Sequence, residues 1–564
     1  MSEIVPALLA LQEEEGWLSP SSLEALAARL KLPLHRLESV STFYTHFKRE
    51  KPAAVEVEVC RDLACHLAGA ELACSRLRDR AAAAATEGGI EIKWVSCLGR
   101  CDQAPAAAIG DRVFAASESE TILAAAADRV EGADGAGVLL PRPVRTWAAA
   151  DPYARGVGDV EGAEADGTHR ADPGEGAEAN AYQILRSILS GSREAPIERL
   201  EAAGLRGMGG AGFPTARKWS LVAAEPAAPK YVVCNADESE PGTFKDREIL
   251  HDLPHLVIEG MAIAAYCVGA ERGTVFIRHE YGPERKRLET EISRARDVGA
   301  LGQNIFGTDF SFEIDIFVSP GGYILGEETA LLECMEGRRG EPRNKPPFPG
   351  SVGLHGQPTL INNVETLAHA VSIVHHGADW WHGLGLEGFS GHKFISVSGD
   401  VVEPGVSLFP VGIPLSEVLA AHGGMQDGKR VGAVAPGGAS SNFLGPEALD
   451  LALDFDALAA AGTMLGSGAA VFVAEGVDLL DVALSITRFF RNESCGKCVP
   501  CRVGSEKAVV MIDEAGAEID EQLIRSLAET MQQTSICGLG QVALGPLLSI
   551  LSRFPDRVLR AESD

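Results

Sequence analysis

The chain has 564 residues, 46% hydrophobic and 23% charged, and its 79 acidic against 50 basic side chains give a formal charge of −29. That length exceeds what one core serves, so about three or four domains are expected, and the negative balance repels phosphate backbones and anionic lipid heads, which argues against nucleic-acid binding. The start, MSEIVPALLALQEEEGWL, has no basic n-region, and no run of about 18 apolar residues follows; the reading is a cytoplasmic protein without direct membrane insertion, whose twelve cysteines are mostly free thiols or metal ligands.

In chain order, SSLEALAARL carries a capping-box pattern from Ser21 to Glu24 and places Leu23, Leu26, Ala27 and Leu30 on one helical face, so the first fifty residues read as a small helical bundle. AAVEVEVC alternates like a strand and AGAELACSRLRDRAAAAA reads as a helix. IEIKWVSC and AAAIGDRVF read as a second and a third strand, closing a compact α/β domain near residue 130. Residues 131–180, rich in Gly, Ala and acids, are the linker candidate. From 181 to 388 helix and strand signals alternate, as in the strand YVVCN and the amphipathic YGPERKRLETEISRAR, which suits a layered α/β domain. Two strands about a Glu403-Pro404-Gly405 turn, then a helix, make 389–474 a small α+β module, and 475–564 is mostly helical. The expected class is multidomain α/β.

The chemistry concentrates in two cysteine sets. ESCGKCVPCRVG spaces Cys495, Cys498 and Cys501 three apart, with Cys537 remote in TSICGLGQ. A [4Fe–4S] cube offers each iron one outward site, so a tight loop can ligate three irons and a distant cysteine the fourth; structural zinc more often pairs separated C-x2-C units. Cys60, Cys65, Cys97 and Cys101 follow the ends of two expected strands and can close around a [2Fe–2S] rhomb, with zinc as the alternative. Cys74, Cys234, Cys267 and Cys334 read as buried small hydrophobes.

GLRGMGGAGFPTARKW contains G-x-G-x-x-G at Gly207, Gly209 and Gly212, yet a helix rather than a strand is expected before it, so the dinucleotide fingerprint fits poorly. A loop whose amides approach phosphates, with Arg217 and Lys218 beside them, and a plain flexible loop both stay open. Asn235, Asp237, Glu238 and Glu240 follow a strand, where polar groups can meet a ribose or a heterocycle edge or simply form an acidic turn. Glu327 and Glu328 open a helix, as its dipole alone would favour. Lys345, Phe348, Asn362 and Asn363 are singly no more than loop and cap residues.

Together these stretches resemble the flavoprotein subunit of NADH-oxidising iron–sulfur complexes over most of 181–564. The first 130 residues resemble the thioredoxin-like [2Fe–2S] subunit that accompanies it. Such fusions are similar to the diaphorase subunits of NAD-dependent formate dehydrogenases and NAD-reducing hydrogenases, and more distantly to the separate subunits of respiratory complex I. The resemblance implies that Gly207, Gly209, Lys218, Asn235, Asp237, Tyr323, Gly326, Glu327, Asn362 and Asn363 surround FMN, and that Phe213, Glu240, Glu328, Lys345 and Phe348 surround NADH. It further implies a β-grasp module over 389–474 and a helical [4Fe–4S] domain after it. Leu325, Met208 and Leu221 depart from the family's cysteine, basic and aromatic residues. The implied activity is exchange of hydride between NAD(H) and FMN and of single electrons with the two clusters, with no catalytic acid or base. The implied partner is a molybdenum- or tungsten-containing catalytic subunit of a formate dehydrogenase, with hydrogenase or complex I subunits as alternatives. A non-catalytic zinc scaffold is the remote rival.

Overall fold

The computed structural model describes residues 4–83, 89–130, 147, 149–153, 181–514 and 519–555. Helices Ile4–Glu15, Pro20–Leu30 and Leu34–Ser41 form the expected N-terminal bundle. The second helix is capped by Ser19, whose hydroxyl accepts from the Ser22 amide at 3.1 Å, and not by Ser21. Pro20 explains the shift: its ring presets a helical φ and it has no N–H to satisfy, so it belongs at the first helical position and the cap falls one residue earlier.

Strands β1 (Val55–Cys60), β2 (Ile90–Val95), β3 (Ala106–Ile109) and β4 (Arg112–Ala115) form a sheet in the order β2-β1-β3-β4, with β1 and β2 parallel. The single strand expected over AAAIGDRVF is in fact the β3–β4 hairpin, because Gly110 at φ 58° turns the chain midway. The helix Ser119–Val130 closes this unit.

The central sheet joins β5 (Tyr231–Ala236), β6 (Arg272–Arg278), β7 (Glu313–Ser319) and β8 (Thr359–Asn363) in the order β7-β6-β5-β8, every pair parallel. A parallel sheet must be covered on its faces, which is why β5 reads as the unbroken apolar run Val232, Val233, Cys234, all buried. The buried helices Pro254–Val268 and Val364–His376 pack on each other beside it. In such sheets ligands bind beyond the carboxyl ends of the strands; here those ends carry Asn235, Arg278, Ser319, Asn362 and Asn363.

A third sheet, ordered β10-β9-β12-β11, comprises β9 (His392–Gly399), β10 (Gly405–Pro410), β11 (Val431–Ala435) and β12 (Ala469–Ala474). The two strands and following helix anticipated from the sequence are β9, β10 and Leu415–Ala421. Helices Leu479–Asn492, Val499–Asp513, Glu521–Thr534, Gly538–Val542 and Gly545–Arg553 complete the chain. Among the described residues no helix is long and apolar enough to cross a membrane.

Most of the expected linker, 131–180, lies outside the described residues. The part that is described is docked: Trp147 Nε1 donates to Asp252 at 2.8 Å, Ser372 donates to the Ala150 carbonyl at 2.8 Å, and Tyr153 OH donates to Glu259. Cys74, Cys234, Cys267 and Cys334 are buried, as expected of small hydrophobes.

The closest helix contact yields a stability prediction. A Cβ at Gly260 would stand 2.3 Å from the Leu367 carbonyl oxygen, which is backbone and cannot swing aside. Gly260→Ala is expected to destabilise the chain by about 1–3 kcal/mol, as overpacking does. A lower urea midpoint checks it; an unchanged midpoint would show that the two helices separate at no cost.

Candidate functional site

The glycine-rich loop joins helix Ala195–Ala203 to helix Thr215–Ala224, so no strand precedes it and the dinucleotide-fold reading fails. Its neck is closed by Gly207 N donating to Phe213 O (2.8 Å) and Thr215 N to Leu205 O (2.9 Å), while Arg206 Nε holds the Gly212 carbonyl. Gly209 lies against Asn363: a Cβ there would come 2.9 Å from that of Asn363. At Gly210, φ 128° with nothing within 4 Å of a would-be Cβ, the loop is both glycine-restricted and open.

Around the strand ends the polar side chains converge. Asn235 Nδ2 donates to the Gly326 carbonyl (2.8 Å), and Trp219 Nε1 donates to Asn362 Oδ1 (2.9 Å). Asn363 caps its helix through Glu365 N and donates from Nδ2 to Asp246 (2.5 Å). Glu327 caps the next helix, and its other oxygen accepts from Lys345 Nζ (2.8 Å), which also reaches Glu328 (2.9 Å). Lys218 Nζ donates to the Ile361 carbonyl and stands 3.8 Å from Glu328. Burial lowers Lys218; against the same pull, Glu328 and Glu327 raise Lys345. Phe213 and Phe348 remain exposed, 40% and 59%, with Arg217 over the Phe213 ring. The Tyr323 ring packs on Phe489 (5.1 Å), and its buried phenol is raised by burial and by the nearby Glu240, Cys537 and Glu493. Of the three departures, Leu325 and Met208 are buried and Leu221 is exposed.

Three acids behave differently. Burial pushes Asp237 up to about 7 against the lowering pull of Arg278, Ser319 and Ser239; Oδ2 accepts from Ser239, and Oδ1 has no hydrogen-bond partner among the described residues. Burial also pushes Glu238 to about 8, but both its oxygens are used by the Asp246 and Arg247 amides and by Tyr281 OH, so it is a structural group. Glu240, raised by burial to about 7, accepts from Ser440 N of the third-sheet module at 2.8 Å.

Cys60, Cys65, Cys97 and Cys101 are brought together and are all buried. Cys65 is raised by its neighbour Cys60, Cys101 by its neighbour Cys97, and Cys101 also feels Cys60, so the four sulfurs share one pocket. Amides point at the sulfurs: Gly99 N to Cys97 (3.3 Å), Ala106 N to Cys65 (3.4 Å), and Gly242 N, from the loop that carries Glu240, to Cys101 (3.4 Å). The Cys101 bond, with Arg278 and the Gly99 amide, holds Cys97 down at about 7, and such N–H···S donors stabilise thiolates that ligate a cluster.

Cys495, Cys498, Cys501 and Cys537 also form one neighbourhood, Cys501 beside Cys498 and Cys495, and Cys537 beside Cys495 and Glu327. Cys498 and Cys537 are each the N-cap of a helix, where free amides favour thiolate. Burial still raises Cys501 to about 11 and Cys537 to about 12.

Several contributors gave no sequence signal. Arg278 donates to the carbonyls of Cys97 and Glu238, and Arg247 to the Gly99 carbonyl and Asp102. Glu493 accepts from Ser96 Oγ (2.5 Å) and Tyr323 N (2.7 Å). Each acts across a distance in sequence that no local pattern encodes; only the adjacency of Ser96 and Glu493 to ligand-like cysteines pointed their way.

Residues 1–128 match the thioredoxin-like [2Fe-2S] ferredoxin family, 200–372 the Nuo51 FMN-binding domain, and 481–561 the NADH-ubiquinone oxidoreductase-F iron-sulfur binding region. The NADP-reducing hydrogenase subunit HndC of Solidesulfovibrio fructosivorans is 43% identical over 378 residues, 66% of this chain and 77% of that protein. The F 2 subunit of the NADH-quinone oxidoreductase of Rhizobium meliloti (strain 1021) is 43% identical over 379 residues, 66% of this chain and 90% of that one. A chain of an NAD+-reducing [NiFe]-hydrogenase crystallised in the H2-reduced state superposes with a TM-score of 0.82 at 31% identity, covering 99% of this chain and 94% of that one.

The pH response of Glu240 is testable without any ligand. Its folded value, about 7, lies above the ordinary 4.5, so the acid form favours the fold; stability is fully present below about 4.5 and is lost as pH rises through about 7. Glu240→Gln keeps an acceptor for Ser440 N and should flatten this decline in a pH series of melting temperatures. An identical slope in both proteins would place the titration elsewhere.

Proposed function

We propose a function for this chain from its family: it belongs with the flavoprotein F subunits of NADH-quinone oxidoreductases, here joined to a thioredoxin-like [2Fe–2S] segment. It is an NADH-dehydrogenase-type flavoprotein iron–sulfur oxidoreductase subunit, a diaphorase module whose cofactors are FMN, NAD(H), a [2Fe–2S] and a [4Fe–4S] cluster. The zinc-scaffold reading is thereby set aside.

Our residue assignment is that Gly207, Gly209, Lys218, Asn235, Asp237, Tyr323, Gly326, Glu327, Asn362 and Asn363 line the FMN cleft and that Phe213, Glu240, Glu328, Lys345 and Phe348 receive NADH. We assign Cys60, Cys65, Cys97 and Cys101 to the [2Fe–2S] cluster, and Cys495, Cys498, Cys501 and Cys537 to the [4Fe–4S] cluster. The observation that carries it is the flanking of one polar cleft by both thiol sets: the Glu240 loop reaches Cys101 through the Gly242 amide, and Cys537 feels Glu327. The orphaned Asp237 Oδ1 and the open turn at Gly210 fit a hydroxyl-rich, anionic ligand. FMN, when bound, exchanges hydride with NAD(H) and single electrons with the clusters. The chain's own part is to hold Lys345 between Glu327 and Glu328 as a cation for a cofactor phosphate, to offer the exposed Phe213 and Phe348 rings for stacking, and to hydrogen-bond the thiolates. The same reading divides the chain at 1–130, 131–180, 181–388, 389–474 and 475–564.

The assignment predicts that Cys495→Ser and Cys537→Ser each remove the [4Fe–4S] EPR signal and abolish transfer to the partner chain. NADH–ferricyanide activity should survive, because a small oxidant reaches the flavin directly. A Cys537→Ser protein with the signal and coupled turnover intact would remove that residue from the ligand set.

The parent complex is a further proposal: a cytoplasmic assembly in which a separate chain holds the second substrate's catalytic centre. Formate dehydrogenase is one reading, supported by the fusion of the two modules and the acidic charge. An NAD-reducing hydrogenase is the second, favoured by the whole-length likeness to a chain of such an enzyme. The chain alone should reduce ferricyanide with NADH yet neither oxidise formate nor consume hydrogen; the native complex should couple one of these substrates to NAD. A native complex that shows only membrane-bound NADH–quinone activity would overturn both readings.

A further inference from the structure

Lys393 opens the third-sheet module, between the segments that match known families, and its ammonium is buried, 3% exposed. It donates to Glu365 Oε2 (3.0 Å) and reaches the Met208 carbonyl oxygen (3.4 Å) inside the glycine-rich loop. Glu365, fully buried, also accepts from Lys245 Nζ (2.9 Å) and from the Phe394 amide (2.8 Å), which fixes it to β9. Lys245 continues to Asp246 (2.7 Å), whose other oxygen accepts from Asn363 Nδ2 (2.5 Å). A buried polar chain thus runs from Asn363 through Asp246, Lys245, Glu365 and Lys393 to Met208, and the electron-transfer roles above use none of Lys245, Glu365 or Lys393.

A peptide group is planar and trans, so its C=O and the following N–H point in opposite directions. With the Met208 oxygen drawn inward to Lys393, the Gly209 N–H faces away from the ionic chain, and no acceptor among the described residues takes it. The Met208 N–H, in the preceding peptide, is tied to Thr366 Oγ1 (2.9 Å), so Met208 is anchored on both sides of its Cα. We propose that Lys393, braced by Glu365, is a positioning residue that aims the Gly209 amide at the phosphate of FMN, giving the third-sheet module a share in the flavin site. This rests on the assignment of the 207–212 loop to FMN.

The test compares FMN with riboflavin, which lacks the phosphate, by flavin fluorescence on reconstituting the flavin-depleted full chain. Because removing one member of a buried ion pair strands the other, Lys393→Met is made alone and together with Glu365→Gln. In the double variant the preference for FMN over riboflavin should fall about tenfold or more, as for a lost hydrogen bond to a charged group, with both cluster EPR signals kept. Equal weakening of the two flavins would reduce Lys393 to a scaffold role and overturn the proposal, as would a preference within about twofold of the unmodified chain. Gly209→Ala separates this from the underlying assignment. If it leaves FMN binding unchanged, the loop is not the phosphate site; if it weakens FMN while the Lys393 variants do not, only the positioning role falls.

Discussion

Two buried arginines make the join on which the site depends. Arg247 and Arg278 are 1% and 2% exposed, and each spends donors on a backbone carbonyl of the first cysteine set, Gly99 O and Cys97 O. Their other donors are met by Asp102 and Glu248 in one case and by Glu280 and the Glu238 carbonyl in the other. A guanidinium taken out of water costs several kcal/mol unless its partners stay in place. Lifting the thioredoxin-like module from the flavin module therefore breaks the bonds of Arg247 to Gly99 and Asp102 and of Arg278 to Cys97, bonds that help hold the Gly242 amide against Cys101.

That constraint also accounts for the tether. Trp147, Ala150 and Tyr153 sit on the helices of the central sheet, so the chain between the two modules is pinned part-way. A tether raises the effective concentration of the docked partner, which lessens the interface area that docking requires. Trp147 further packs on Phe394 (5.0 Å), next to Lys393, which ties the tether to the third sheet as well.

How much of this was legible follows from the range of each interaction. Element types follow from local pattern, and β1, β2, β5 and the helix Gly282–Asp297 lie where alternation and period place them. The AAAIGDRVF stretch departs from its pattern because one glycine at positive φ splits it, and the cap moves off Ser21 because a proline one residue earlier presets the turn. Both cysteine sets were legible because ligation needs close spacing, and the failure of the dinucleotide fingerprint was legible because the helix before it is local too. Lys393, Arg278 and Ser440 were not, since their partners lie far along the chain: Glu365 for the first, Cys97 for the second and Glu240 for the third. The domain divisions were read from composition and pattern, whereas the FMN and NADH role of each cleft residue came from resemblance, which spacing alone does not supply.

Glu493 shows how little chain is needed to hold three modules in register. Its two oxygens accept from Ser96 Oγ and Tyr323 N. Ser96 precedes Cys97, Tyr323 begins the turn that ends at Gly326 before the Glu327 cap, and Glu493 itself stands two residues before Cys495. One carboxylate thus joins, by chain to Cys495 and by hydrogen bonds to Ser96 and Tyr323, a segment of each thiol set and a segment of the polar cleft. Electron transfer between separate centres is steep in distance, whereas a carboxylate with two donors fixed at hydrogen-bond length leaves little freedom in any of the three segments it joins. Binding specificity can be tuned by residues that touch the ligand, whereas the spacing of the modules is set by the hydrogen bonds between them, and Glu493 makes two of these.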